Sequence, residues 1–168
     1  MKLETLHDLL RDQISDLYDA EQRLVKALPD MAEAANSPEL RNAIQSHLEE
    51  TKGHVNRLER IFNQLGEDVK RQTCAAMKGL LEEGESLVSK IDESPLRDAA
   101  IIAAANRVEH YEMAAYGSAR TFAETMGLDR VAQILQETLE EERKADATLT
   151  RLAEGKINEL AMHTTAAH

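Results

Sequence analysis

The 168-residue chain carries 31 acidic and 20 basic residues, a formal net charge of -11, with seven glycines, three prolines and one cysteine. This length supports one domain with its own core, and the acidic balance disfavours nucleic acid and anionic membranes as partners. A lone Cys74 excludes an internal disulfide, and with charges in every turn of MKLETLHDLLRDQ the expectation is a cytoplasmic protein without signal peptide or membrane span.

No segment alternates with period two and β-branched residues do not cluster, so the chain is expected to be all-α. The first helix is predicted from about Leu3 to Ala35, with Leu6, Leu10, Leu17, Glu21, Leu24, Leu28 and Met31 facing inward and Pro29 kinking it. NSPEL then offers Ser37 as N-cap and Pro38 at the first helical position. The helix it opens is predicted to reach Leu65, with a stripe of Leu40, Ile44, His47, Leu48, Thr51, Val55, Leu58 and Phe62, and Gly66 ends it. A polar stretch from Gly66 to Thr73 leads to a shorter amphipathic helix, CAAMKGLLEEGESLVSKI. In DESPLRDAA, Ser94 and Pro95 repeat the earlier start signal for a helix predicted to run to Met126, before Gly127. The last helix is expected from Asp129 to about Leu160, so that residues 1–161 form a single domain and 162–168 a frayed tail.

Four long helices in two hairpins, joined by a long crossover bearing a short fifth helix, define a ferritin-like four-helix bundle. The hairpins carry a faint repeat. HLEETKGHVNRLERI beside TLEEERKADATLTRL pairs Leu48 with Leu139, Glu50 with Glu141 and Leu58 with Leu149, while LYDAEQRL beside VEHYEMAA pairs Glu21 with Glu112. Counted from turns near Asn36 and Gly127, Glu21, Glu50, Glu112 and one of Glu141 or Glu142 each lie about fourteen or fifteen residues away. Each long helix therefore offers a carboxylate to one layer of the core.

Burying four unpaired carboxylates is prohibitive, because each ion carries a penalty of several kcal/mol and like charges repel. The simplest compensation is a pair of divalent cations, and hard oxygen donors with a few imidazoles suit iron or manganese. Glu109, one turn before Glu112, is the first additional candidate ligand, and His54, four residues after Glu50, the second. His47, three before Glu50, and Asp146, four after Glu142, are left open, while His110 points about 100° away from Glu109 and is placed outside the site.

The segments SDLYDAEQRL, HLEETKGHVNRLE, CAAMKGLLEE, RDAAIIAAANRVEHYEMAAYG and ETLEEERKAD, in this order and spacing, resemble the YciF-like bacterial stress proteins, a ferritin-like branch related to rubrerythrin. The resemblance covers nearly the whole chain. It implies a five-helix subunit, a homodimer and a di-iron centre inside the four long helices, with Glu21, Glu50, Glu109, Glu112 and either Glu141 or Glu142 as ligands. One departure stands out: ferritin-like sites carry Glu-x-x-His in the second and fourth long helices, whereas Gly53 follows Glu50-x-x and Lys144 follows Glu141-x-x, leaving His54 one position late. Three functions are consistent with this reading. One is redox handling of oxygen or peroxide, with an external electron donor because the chain has no Cys-x-x-Cys pair; the others are iron binding or storage without turnover, and a non-catalytic dimeric bundle. The second apolar side of the Cys74 helix is the expected place for part of a dimer contact.

Overall fold

The computed structural model describes residues 2–164. Helix α1 (Leu6–Ala34) starts after the predicted Leu3, because Thr5 and Asp8 form a reciprocal capping box: the Thr5 hydroxyl accepts from the Asp8 amide and the Asp8 carboxylate accepts from the Thr5 amide, both at 3.0 Å. The helix continues through Pro29 without interruption. Ser37 caps α2 (Pro38–Gln64) and Ser94 caps α4 (Pro95–Thr125), each with proline in the first turn as expected. Cys74 caps the short α3 (Ala75–Val88), its Sγ accepting from the Met77 amide.

Gly66 and Gly127 both adopt φ of 69°, and each is followed by the same closure. Gly66 donates to the Asn63 carbonyl and Glu67 to that of Phe62, while Gly127 donates to Glu124 and Leu128 to Ala123. These paired bonds satisfy the last carbonyls of α2 and α4, and the left-handed backbone they need favours glycine at both positions.

The last helix differs from the sequence expectation. Helix α5 (Asp129–Leu152) passes into a five-residue π-helical turn, Ala153–Ile157, before α6 (Asn158–Met162). The wider turn rotates the apolar row, and both Leu149 and Ile157 are buried. Met162, assigned from sequence to the frayed tail, closes α6, and residues 165–168 lie outside the described residues.

Helix α1 pairs with α2 and α4 with α5; α2 also packs on α5 and α1 on α4, which closes a four-helix square, and α3 lies against α1 and α4. Asp98, in the first turn of α4, accepts from the amides of Asn36 and Ser37 at 2.7 and 2.8 Å, fastening the first hairpin's turn to the second hairpin. Two apolar clusters fill the square. One holds Leu24, Leu28, Leu40, Ile44, Ile101 and Leu149, and the other Leu10, Leu17, Leu58, Phe62, Tyr116 and Leu135. Each such side chain contributes about 1.5–3 kcal/mol on burial. Along every long helix the handover between the clusters falls at a polar residue: Glu21, His47 to His54, Glu109 to Glu112, and Glu142. No helix among the described residues is long and apolar enough to cross a membrane.

Candidate metal centre

Six ionisable side chains occupy the layer between the clusters. Glu21, His54, Glu112 and Glu142 have no solvent exposure, Glu109 has 3% and His47 7%. One donor atom from each of His47, Glu109, Glu112 and Glu142 lies within 4.8 Å of all the others, and the same holds for Glu21, His54 and Glu142. Glu142 belongs to both groups, the place a bridging carboxylate takes between two cations. The helices position these groups by their periodicity: His47, Thr51 and His54 follow i, i+4, i+7 on the inner face of α2, and Glu109 and Glu112 stand one turn apart on α4.

The direction of the donors is as informative as their proximity. Among the described residues, eight of the thirteen buried side-chain polar atoms that lack a hydrogen-bond partner belong to these six residues: Glu21 Oε2, His47 Nε2, His54 Nδ1, Glu109 Oε2 and both carboxylate oxygens of Glu112 and Glu142. His54 Nδ1 is 2.9 Å from Glu142 Oε1 and 3.3 Å from Glu21 Oε1, yet neither contact has hydrogen-bonding direction. His47 Nε2 likewise lies 3.3 Å from Glu109 Oε1 and 3.6 Å from Glu142 Oε2. Lone pairs that converge without pointing at one another fit a third body between them. Four carboxylates and two imidazoles are the donor set that suits iron or manganese, so the residues present fit a di-metal centre.

The surroundings order these donors. Tyr116, fully buried, donates its hydroxyl to Glu21 Oε1 at 2.5 Å and leaves Oε2 turned into the layer. On the other face of His54, Nε2 meets Glu141 Oε2 at 2.8 Å, and Arg57 grips Glu141 through two bonds of 2.6 and 2.7 Å. His47 Nδ1 meets Glu50 Oε2 at 3.4 Å. Each imidazole thus keeps one nitrogen for the layer and turns the other to a half-buried carboxylate, the arrangement that orients metal-binding histidines.

Burial drives the Glu112 carboxyl well above the ordinary range, reinforced by Glu21, Glu142 and Glu109. Burial also lifts Glu142, to about 8, with Glu109 and Glu21 adding to the rise and His54 opposing it. For His54 burial acts downward, but Glu21 and Glu142 outweigh it and hold the imidazole at about 10. His47 rises for the same reason through Glu109 and Glu50. Glu141 moves the other way, to about 2, because Arg57 holds its anion. Without a cation, the layer keeps protons on some acids and on its imidazoles to balance charge.

Of the sequence candidates, Glu21, His54, Glu109, Glu112 and Glu142 come together, while Glu50 and Glu141 stand at the edge, beside His47 and His54 respectively. The α5 alternative therefore resolves to Glu142 as the inward acid. Asp146 faces the exposed His110 at 3.1 Å, away from the layer, and Tyr18 donates to Glu59. In place of a Glu-x-x-His motif, α2 supplies two inward imidazoles, His47 and His54. The repeat alignment favoured Glu50 because it pairs with Glu141, and the structure places both at the edge. The better signal was the α2 stripe itself, which contains His47 and Thr51 and omits Glu50.

A four-helix bundle with carboxylates and imidazoles converging at mid-height is a protein of ferritin-like architecture. The chain belongs to the YciF-like family: residues 5–162 match the family model described as a domain of unknown function, DUF892. It is 41% identical over 162 residues to protein YciF of Escherichia coli K12, covering 96% of this chain and 98% of that protein. The crystal structure of the E. coli stress protein YciF superposes with a TM-score of 0.89 at 40% identity, covering 94% of this chain and 99% of that one. YcfI of Rhodopseudomonas palustris gives 0.87 at 39% identity, with 89% and 95% covered. A Xanthomonas campestris pv. campestris protein shares the fold at a TM-score of 0.73 and 21% identity, over 92% of this chain and 94% of its own.

Proposed function

We propose that the central layer binds two iron ions, with manganese as the other metal its donors suit, and that the protein removes peroxide or oxygen as a cytoplasmic stress-response oxidoreductase. The observation that carries this reading is the set of eight unpartnered, buried donor atoms from four helices directed at a common space. His47, Glu109, Glu112 and Glu142 would hold one ion and Glu21, His54 and Glu142 the other. A bound pair of iron ions would supply the two-electron exchange that reduction of a peroxide needs. The chain's own residues hold Glu21 through Tyr116, orient His54 through Glu141, and exclude bulk water with the apolar clusters on either side. With one cysteine and no Cys-x-x-Cys pair, the chain depends on an external electron donor. A homodimer is the expected assembly.

A second reading is favoured by the two imidazoles, each set between carboxylates and shifted toward its cationic form. Two imidazolium groups and two protonated acids balance the layer without metal, and the bundle is then structural. Metal analysis after purification without chelator or added metal separates the readings: about two ions per chain are expected, and a Glu21→Ala, Glu112→Ala double variant should lose them. A wild-type protein free of metal, and unable to take up added Fe(II) or Mn(II), overturns the first reading. Peroxide consumption by the iron-loaded protein with an added reductant then divides turnover from storage.

A further inference from the structure

Resting on the two-metal reading, we propose that the cleft above His47 is the port through which divalent cations reach the core, and that Glu50 is the carboxylate that first receives them. The cleft has a volume of about 150 Å³ and is walled by all four long helices. That is many times the roughly 10–15 Å³ a single water needs, so it admits an ion that still carries part of its hydration shell. Its rim holds the exposed Ser46 and Lys144, and its floor the buried His47 and Glu109. His47 and Glu109, more than nine-tenths buried, form this floor, and their Nε2 and Oε2 atoms have no hydrogen-bond partner.

The donors form a ladder from rim to core. Glu50 Oε2 is 3.4 Å from His47 Nδ1, and the same imidazole reaches Glu109 at 3.3 Å and Glu142 at 3.6 Å through Nε2. One ring separates the outermost carboxylate from the bridging one. The opposite edge of the layer is built differently, and the contrast selects the direction of passage. There Glu141 is closed off by the bidentate Arg57, whose guanidinium neutralises the acid and repels an approaching cation. On the port side no guanidinium of the described residues grips Glu50: beyond His47 at 3.4 Å it meets Lys144 Nζ at 3.9 Å, on a side chain 77% exposed, a contact that an arriving divalent ion displaces readily.

The test is stopped-flow mixing of metal-free protein with Co(II), followed by the visible ligand-field absorption, at low and high salt. Glu50→Gln should cut the association rate by about tenfold at low salt, within the range that focused charge supplies, while two ions still bind at saturation. Glu49→Gln makes the same charge change on an exposed residue paired with Lys52 and should load at the wild-type rate. Ala145→Leu, which narrows the cleft and leaves every charge in place, should also slow loading. If Glu50→Gln and Ala145→Leu both fill at the wild-type rate, the port is elsewhere although the metal centre stands. If Glu50→Gln alters only dissociation, leaving the association rate and its salt dependence unchanged, Glu50 merely orients His47 and the port assignment falls. A wild-type protein that takes up no Co(II) defeats the metal centre itself and the port with it.

Discussion

Two sets of buried acids coexist in this bundle and are treated in opposite ways. Asp19, 2% exposed, receives Arg23 at 2.6 Å, Arg71 at 2.5 Å and the Cys74 amide at 2.8 Å, and Asp98, 1% exposed, receives two backbone amides. Burial pushes Asp19 upward, yet its arginine and amide partners hold it below the usual carboxylate range. Glu112 and Glu142, buried to the same degree, have no hydrogen-bond partner on either oxygen. A chain that satisfies acids at the crossover and at the hairpin turn does not leave the central ones bare through poor packing. Partnered acids fasten elements together, and in the function proposed above the unpartnered ones hold the metal.

The contrast breaks most visibly under metal addition. If two sites each reach about 100 times their dissociation constant, Fe(II) or Mn(II) adds about 5 kcal/mol, a rise of roughly 10–20 °C in Tm for a chain of this length; anaerobic calorimetry with and without metal measures it. Next in size, Glu112→Leu should stabilise the metal-free protein by about 1–3 kcal/mol, since a buried carboxyl with neither oxygen hydrogen-bonded gives way to hydrocarbon, and it should remove most of the metal-dependent gain; urea titrations in both states read the two effects. Asp19→Ala should do the reverse, costing about 1–3 kcal/mol by stranding the buried Cys74 amide while metal stoichiometry stays at the wild-type value. Equal responses of these two variants would erase the distinction between the two sets of acids.

The smallest effect is the pH dependence. Glu142 is raised to about 8 in the fold, so its proton stabilises the metal-free protein at low pH, and that contribution fades as pH climbs from the unfolded value near 4.5 through 8. His54, raised to about 10, acts with the same sign: its contribution is complete below about 6.5 and is lost as pH rises through 10. Metal must displace these protons, so the Tm gain on metal addition should be larger at pH 8 than at pH 6. A gain that shrinks over that interval would show that the layer does not exchange protons for cations.

The sequence by itself determined the four long helices, the short crossover helix and their order, but not the π turn that breaks the last one. Ser37-Pro38 and Ser94-Pro95 at the starts, and Gly66 and Gly127 at the ends, are local devices whose geometry depends on a few neighbouring atoms, and they specify two hairpins wherever the rest of the chain goes. The inward placement of Glu21 and Glu112 was equally legible, because each lies at the same distance along its helix from a hairpin turn, and Glu109 stands one turn from Glu112 on the same face. The α2 stripe already carried His47 and omitted Glu50, but which of Glu141 and Glu142 turns inward was decided by tertiary structure. Adjacent residues on a helix differ by about 100°, and the rotation of α2 and α5 about their axes is set by how Leu58, Phe62, Leu135 and Leu139 pack against α1 and α4. Arg57 completed the choice by drawing Glu141 to the edge, a contact between helices that no local pattern in either one encodes.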